Sequence, residues 1–292
     1  LLVDRGYQEA ITYSFVDELI QQQIAPDDAT IKLANPISAD MSVMRSTLWC
    51  GLLKAALHNL NRQQNRIRFF ESGLRFINND GGKINQQKTL SGSVLGNLYP
   101  LQWGEKQRKV DFFDLKADIQ AVFALAGQEV SYISAQHTAL HPGQTAHVVS
   151  QAGELIGVMG MLHPELEKRL GFETQVFLFE LDQDLLLNKS ISRFKSLSKY
   201  PSVTRDLALI VDEKVTADDI INSIKSTNQV IIQDITLFDL YRGKGIEDNC
   251  KSIAVSITLQ NFSQTLTDSE ITATVNKVEL ILANQLGAKL RE

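Results

Sequence analysis

Four histidines crowd one part of the chain: His137, His141 and His147 lie within "HTALHPGQTAH", and His163 comes soon after. Imidazoles this close could hold a metal, but no carboxylate or thiolate stands beside them at a recognised ligand spacing. His141 precedes Pro142-Gly143, which suits a turn, so a structural role is expected. A second candidate is "YRGKG", Tyr241 to Gly245. It is not a Walker loop, because the lysine lacks its four-residue approach and the Ser/Thr that comes next in that motif. Its glycines permit the positive φ of a hairpin turn. Arg242 and Lys244 beside an aromatic ring could also meet RNA, the cations on phosphate and the ring on a base. A third group, Lys199, Tyr200, Arg205 and Asp206, opens a strand near Ser202 and Thr204. Arg205 either pairs with an acid or faces a nucleic acid. A fourth set is carboxylic: Glu71 in "IRFFESGLRF" and Glu180 in "VFLFELDQD". An independent enzyme built on His141 and Glu180 finds little support.

The elements that must carry these residues can be read from periodicity. From Val3 to Glu18 a short helix or turn leads into a strand, "EAITYSFVD". "ANPIS" reads as a strand ending in a turn, since Pro36 cannot donate to a ladder. Leu48, Leu52, Ala55, Ala56 and Leu60 recur at helical spacing, which predicts one long amphipathic helix over Met44–Gln63. "IRFFESGLRFI" alternates like a strand, "NNDGGK" is a turn, and "KTLSGSVLGNL" is another strand. "DFFDLKADIQAVFALAG" is a helix stopped at Gly127. Two strands come next, joined by a tight "AGE" turn and ended by His163-Pro164. Then come a short helix stopped at Gly171 and an apolar strand, "QVFLFELDQDLLL". This is an α+β layout with an antiparallel sheet. The polar stretch "NKSISRFKSLSKYPS" separates it from the last third of the chain, so domains are placed at 1–190 and 199–292. The second reads strand, helix with Thr216 as N-cap, strand, "GKGIEDN" turn, strand, helix with a Thr267…Glu270 capping box and a stop at Gly287, then a short strand. That order is the ferredoxin-like βαββαβ, a fold that hosts many functions.

Composition is that of a globular chain, 43% hydrophobic and 22% charged over 292 residues. No run of eighteen apolar residues predicts a membrane span. The start has no signal-peptide pattern and no methionine, so the chain reads as part of a longer one. Cys50 and Cys250 are too far apart in sequence to suggest a metal or disulfide framework, which suits a reducing compartment. From Lys199 to Glu292 there are 10 Lys+Arg against 13 Asp+Glu. Any RNA contact must therefore use local patches, with the last domain weak by itself.

Three stretches together resemble one family. "SKYPSVTRDLALIVDE" with "LFDLYRGKGIEDNCKSIAVSITLQNFSQTLTDSEI" is similar to the ferredoxin-fold anticodon-binding domain of bacterial phenylalanyl-tRNA synthetase β chains. "RGYQEAITYSFVD", "NPISADMSVMRSTLWCGLLKAALHNLNR", "FFESGLRF" and "HPGQTAHV…GELIGVMGMLHPEL" resemble the class II synthetase-like module of that β chain. The resemblance covers nearly the whole chain, in the expected order. It implies the C-terminal part of the β chain, without its editing site. It also implies a cytoplasmic (αβ)2 heterotetramer whose α subunit charges tRNA-Phe with phenylalanine. ATP and Mg2+ would serve the holoenzyme, and no cofactor is expected on this chain.

A working class II site needs an arginine two positions before a glutamate on its second-motif strand, and a glycine-rich third motif ending in arginine. Planar, bidentate contact with phosphate requires that guanidinium. Here Phe69 stands two before Glu71. Arg68 is one place off, which turns it to the opposite face of a strand. The third-motif stretch has neither glycine nor arginine, only Glu180. The module is therefore expected to be non-catalytic and to hold partners. The first-motif residues Asn35, Pro36, Met44, Leu48, Trp49 and Leu52 are expected at the subunit interface, against the alternative of a plain core helix. Lys199, Tyr200, Arg205, Tyr241, Arg242 and Lys244 are expected to touch tRNA. The competing reading is a purely structural assembly module with no RNA contact. It predicts cations that are scattered or salt-bridged rather than gathered on one side.

Overall fold

The computed structural model of the chain describes residues 1–79, 83–187, 194, 196–227 and 229–291. It divides into two compact units, Leu1–Ser192 and Arg193–Glu292.

The first unit is built on a seven-stranded sheet of order β1-β5-β6-β10-β9-β8-β7. Its strands are β1 (Gln8–Glu9), β5 (Arg66–Asn79), β6 (Lys83–Gly96), β7 (Val130–Ser134), β8 (Leu140–Ser150), β9 (Leu155–Leu162) and β10 (Val176–Asp182). Every pairing is antiparallel except β1 on β5. A small sheet joins β2 (Phe15–Val16), β3 (Ile31–Lys32) and β4 (Val43–Met44). Strand β10 shows why the sheet lies inside. Residues 176–181 are all buried, and alternation sends Phe177, Phe179 and Leu181 to one cluster and Val176 and Leu178 to another. Helix α3 (Phe112–Ala126) covers the first face with Leu115, Ile119 and Phe123. Helices α1 (Glu18–Ile24), α2 (Trp49–Leu60) and α4 (Pro164–Leu170) cover the second. The short α5 (Gln183–Leu186) comes directly after β10.

Several expected boundaries move. "EAITYSFVD" is two short strands, β1 and β2, joined by chain that belongs to no strand, and "ANPIS" is not a strand. Helix α1, capped by Asp17, and strand β7 were not foreseen, and the expected last strand of this unit ends in α5. The long helix starts at Trp49 rather than Met44, because tertiary bonds take its would-be first turn. The Arg45 amide bonds the Ser14 carbonyl, and the Phe76 amide takes the Arg45 carbonyl. The Ser46 and Leu48 amides go to the Gln21 and Glu180 side chains. The tip of the expected "NNDGGK" turn lies outside the described residues.

The second unit keeps closely to its predicted order: β11 (Val203–Asp212), α6 (Ala217–Ser226), β12 (Ile232–Tyr241), β13 (Cys250–Leu259), α7 (Asp268–Leu286) and β14 (Lys289–Leu290). The sheet is antiparallel, of order β12-β13-β11-β14, the ferredoxin-like arrangement. Thr216 and Thr267 make the capping boxes of α6 and α7. Both helices pack on one face through Ile220, Ile224, Ile271, Val278 and Leu282, against Leu207, Leu209, Val255 and Ile257. The other face has no helix over it among the described residues.

Candidate functional site

In the first unit the two acidic candidates face the same side of the sheet. Glu71 is buried, and its Oε1 accepts from Arg45 Nη1 at 2.7 Å. Its Oε2 accepts from Thr12 Oγ1 at 2.7 Å. Arg45 is equally buried and donates its Nε to the Leu74 carbonyl at 2.9 Å. Gly73 makes room for this guanidinium, since a Cβ there would stand 2.5 Å from Arg45 Nη2. Glu180 accepts from Thr47 Oγ1 and the Leu48 amide, both at 2.9 Å, and from Arg75 Nη1 at 3.0 Å. Burial pushes its carboxyl up. Burial, with the Glu180 charge second, pushes the neighbouring Cys50 thiol up to about 12.

Arg68 lies on the opposite face, as its strand parity requires. It donates to Asp118 at 2.8 Å and stacks over the Tyr7 ring at 5.4 Å. Both acids thus hold the entry to α2, and the two arginines nearest them, Arg45 and Arg75, are bound to internal acceptors. A polar cavity of about 110 Å³ beside Glu180 is lined by Asp27, Asp28, Arg75 and His137. It contains no guanidinium free for a phosphate. The Nδ1 atoms of His137, His141 and His163 each accept the amide two residues on, a local turn or cap role. No group of three or more possible metal ligands exists among the described residues.

The expected interface residues divide. Leu48, Trp49 and Leu52 are 0%, 1% and 0% exposed, so their side chains belong to the unit's own core. Trp49 Nε1 is tied to the Phe179 carbonyl at 3.0 Å. Met44 is half-buried in β4, while Asn35 and Pro36 are exposed. The surface offered near α2 is instead an apolar groove of about 340 Å³, lined by Ile11, Tyr13, Phe15, Ile20, Met41 and Ala55. Ile11 is 90% exposed. Sequence reasoning placed Ile11 and Tyr13 on a strand and gave them no role, and their shared parity in "AITYSF" was the available signal.

In the second unit the expected RNA residues fall into two separated sets. Arg205 pairs with Ile257 of β13, and Tyr241 with Ser252. Five residues of strand, roughly 17 Å, separate those positions. Lys199, Tyr200 and Arg205 lie at one end of the sheet, and Tyr241, Arg242 and Lys244 at the other. Arg205 shares the core-side parity of Leu207 but sits exposed at the strand end, its Nη1 on the Thr204 carbonyl. Arg242 is salt-bridged, its Nε 3.0 Å from Glu213, and this bond holds the Glu213 carboxyl below its ordinary value. The six residues are therefore not gathered on one side.

A different pair meets on the sheet face opposite α6 and α7. Register sets Tyr241, Ser252, Ile210 and Lys289 across the sheet, on the side opposite Ile253 and Leu209. Tyr241 and Arg291 meet over that face, with the guanidinium 4.9 Å from the ring centroid. Small residues, Ala208 and Ala254, lie between the outer strands. Sequence reasoning missed Arg291, because a chain end gives no sign of which side chain reaches back over a sheet.

Two family models match the chain. One, described as the phenylalanyl tRNA synthetase beta chain CLM domain, matches residues 1–183. The other, described as a ferredoxin-fold anticodon binding domain, matches residues 198–291. Among curated relatives, the phenylalanine–tRNA ligase beta subunit of Methylococcus capsulatus is 48% identical over 100% of this chain and 37% of its own length. Those of Pseudomonas fluorescens and Hahella chejuensis are 46% and 45% identical, over 100% and 99% of this chain and 37% and 36% of theirs. The chain thus spans a little over a third of the length of these relatives.

Proposed function

The chain belongs to the phenylalanyl-tRNA synthetase β-chain family, and from that premise we propose that it is the C-terminal part of such a subunit and does no chemistry itself. In this reading the first unit assembles with a catalytic α subunit in an (αβ)2 heterotetramer, in the cytoplasm. The second binds the anticodon region of tRNA-Phe, in support of charging that uses ATP and Mg2+ on the α subunit. The observation that carries it is the family match running across both units of a chain whose two motif carboxylates are spent on internal donors. The exposed groove beside α2, and not Leu48, Trp49 and Leu52, is the surface suited to the α subunit, because its apolar area is open to burial.

For RNA, the Tyr241–Arg291 pair supplies a ring and a planar cation on the sheet face opposite α6 and α7, the groups on which unstacked bases and phosphates are held. Arg242 is assigned to bracing its turn, because Glu213 already holds it. That ion pair, with the separation of the two basic sets, favours the second reading, a module that never touches RNA. The test is tRNA-Phe binding to reconstituted full-length subunits across a salt series. Tyr241→Ala and Arg291→Ala should each weaken binding by about 1–3 kcal/mol, and Arg291→Ala should also flatten the salt slope. Arg242→Ala with Lys244→Ala should change little. Unchanged binding in the first two variants would hand the domain to the structural reading.

A further inference from the structure

We propose that the first unit carries an anion site for a phosphate group, at the sheet edge where β5 begins beside β1, away from both carboxylates described above. A polar cavity of about 310 Å³ is lined by Gly6, Gln8, Asn59, Gln64 and residues 66–69. No acidic side chain lines it. Around it stand three guanidinium groups and one carboxylate. Asp118 is fully engaged: its Oδ1 takes Arg5 Nε at 2.6 Å, and its Oδ2 takes Tyr7 OH and Arg68 Nη1, each at 2.8 Å.

Arg66 is left without an acid. Its Nε donates to the Leu98 carbonyl at 3.2 Å, and its terminal nitrogens find no partner among the described residues. Burial, and then the like charge of Arg68, disfavour its cation. Arg68 lines the same cavity, is 5% exposed, and has a buried Nε with no hydrogen-bond partner. A buried donor without an acceptor is costly, and two cations beyond the single acid add repulsion. An entering oxyanion at Arg66 relieves the repulsion.

The fork of Arg66 suits bidentate phosphate contact, and the amides of Gln8, Asn59 and Gln64 can bond the remaining oxygens or an attached sugar hydroxyl. Gly6 keeps the space open. It adopts φ +84°, and a Cβ there would lie 3.1 Å from Arg66 Nη2.

The test is calorimetric titration of the 292-residue chain with inorganic phosphate and with AMP, alongside thermal unfolding in the same ligands. Saturable binding in the millimolar range or tighter is expected, with a raised unfolding temperature. Arg66→Gln should weaken both by about tenfold or more, the loss of a charge-assisted pair. Arg62→Gln, at an exposed position just past the end of α2, should leave them unchanged. Equal affinity for the two ligands assigns the site to phosphate alone, and tighter AMP binding assigns it to a nucleoside phosphate. No saturable binding of either up to about 10 mM, or wild-type binding by a folded Arg66→Gln chain, overturns the proposal. Neither result bears on tRNA binding by the second unit.

Discussion

Removing Arg45 should show whether Glu71 is an anchor or a group held ready for external work. In the native chain the pair is 2.7 Å apart with both side chains under 5% exposed. Arg45→Ala leaves the carboxylate in that site with only the Thr12 donors. Breaking a buried pair from one side costs about 3–5 kcal/mol, because the surviving charge stays desolvated. With a urea slope of about 2–3 kcal/mol per molar for a unit of this size, the midpoint should fall by roughly 1–2.5 M. Both tryptophans, Trp49 and Trp103, belong to the first unit, so intrinsic tryptophan fluorescence reports its unfolding apart from the second. Replacing both partners, Arg45→Met with Glu71→Leu, removes the charge problem together with the pair. It should be far milder than the sum of the single changes, since apolar replacement of a buried pair is often neutral or better. The reasoning fails if the two single costs add within about 0.5 kcal/mol. Glu71 would then be reaching solvent, and its assignment as a structural group would have to be withdrawn.

The same face of the sheet yields two further outcomes. Cys50 is 3% exposed, its thiol raised to about 12, whereas Cys250 is half-buried. A disulfide reagent at pH 8 should therefore modify one thiol of the native chain quickly and the second only in denaturant, and two fast thiols would contradict the burial of Cys50. Glu180 titrates above its unfolded value because burial favours its neutral form. Its contribution to stability is then full below the unfolded carboxylate pKa, about 4.3, and is lost as pH rises through the raised folded value. The advantage of wild type over Glu180→Gln in urea midpoint should grow as pH falls from 7 toward 4.5. A shrinking advantage would mean that the Arg75 bond outweighs burial.

The second unit was legible because its signals are local. Thr216 and Thr267 cap helices through acids three residues on, Gly287 closes the last helix, and the strands alternate. The first unit was legible only where local pattern and tertiary demand agree. Helix α3 shows that agreement, capped by Asp111 and Asp114 and stopped by Gly127. At α2 the two conflict. Helical spacing continues back through Leu48, yet Gln21 and Glu180, distant in sequence, take the amides that a first turn would present. Apolar spacing marks a buried stripe but does not say whether a partner or the chain's own sheet buries it. For that reason Leu48, Trp49 and Leu52 looked like interface and are core.

The functional residues divide by the same logic. The misplacement of Arg68 relative to Glu71 could be read directly, since strand parity is a property of two or three residues. The structure adds what each does there: Arg68 binds Asp118 on one face and Glu71 binds Arg45 on the other. Whether Arg205 and Arg242 share a side depends instead on the register of three strands, which no short stretch contains. That register separates them, and it also draws Tyr241 and Arg291 together over Ala208 and Ala254. A basic count for this domain misleads for a physical reason. Thirteen acids face ten cations, so under the proposed RNA-binding reading recognition would rest on the few cations that neighbouring acids leave unpaired. Arg242 fails that criterion through Glu213 and Arg291 meets it, its guanidinium resting on an aromatic ring rather than on a carboxylate.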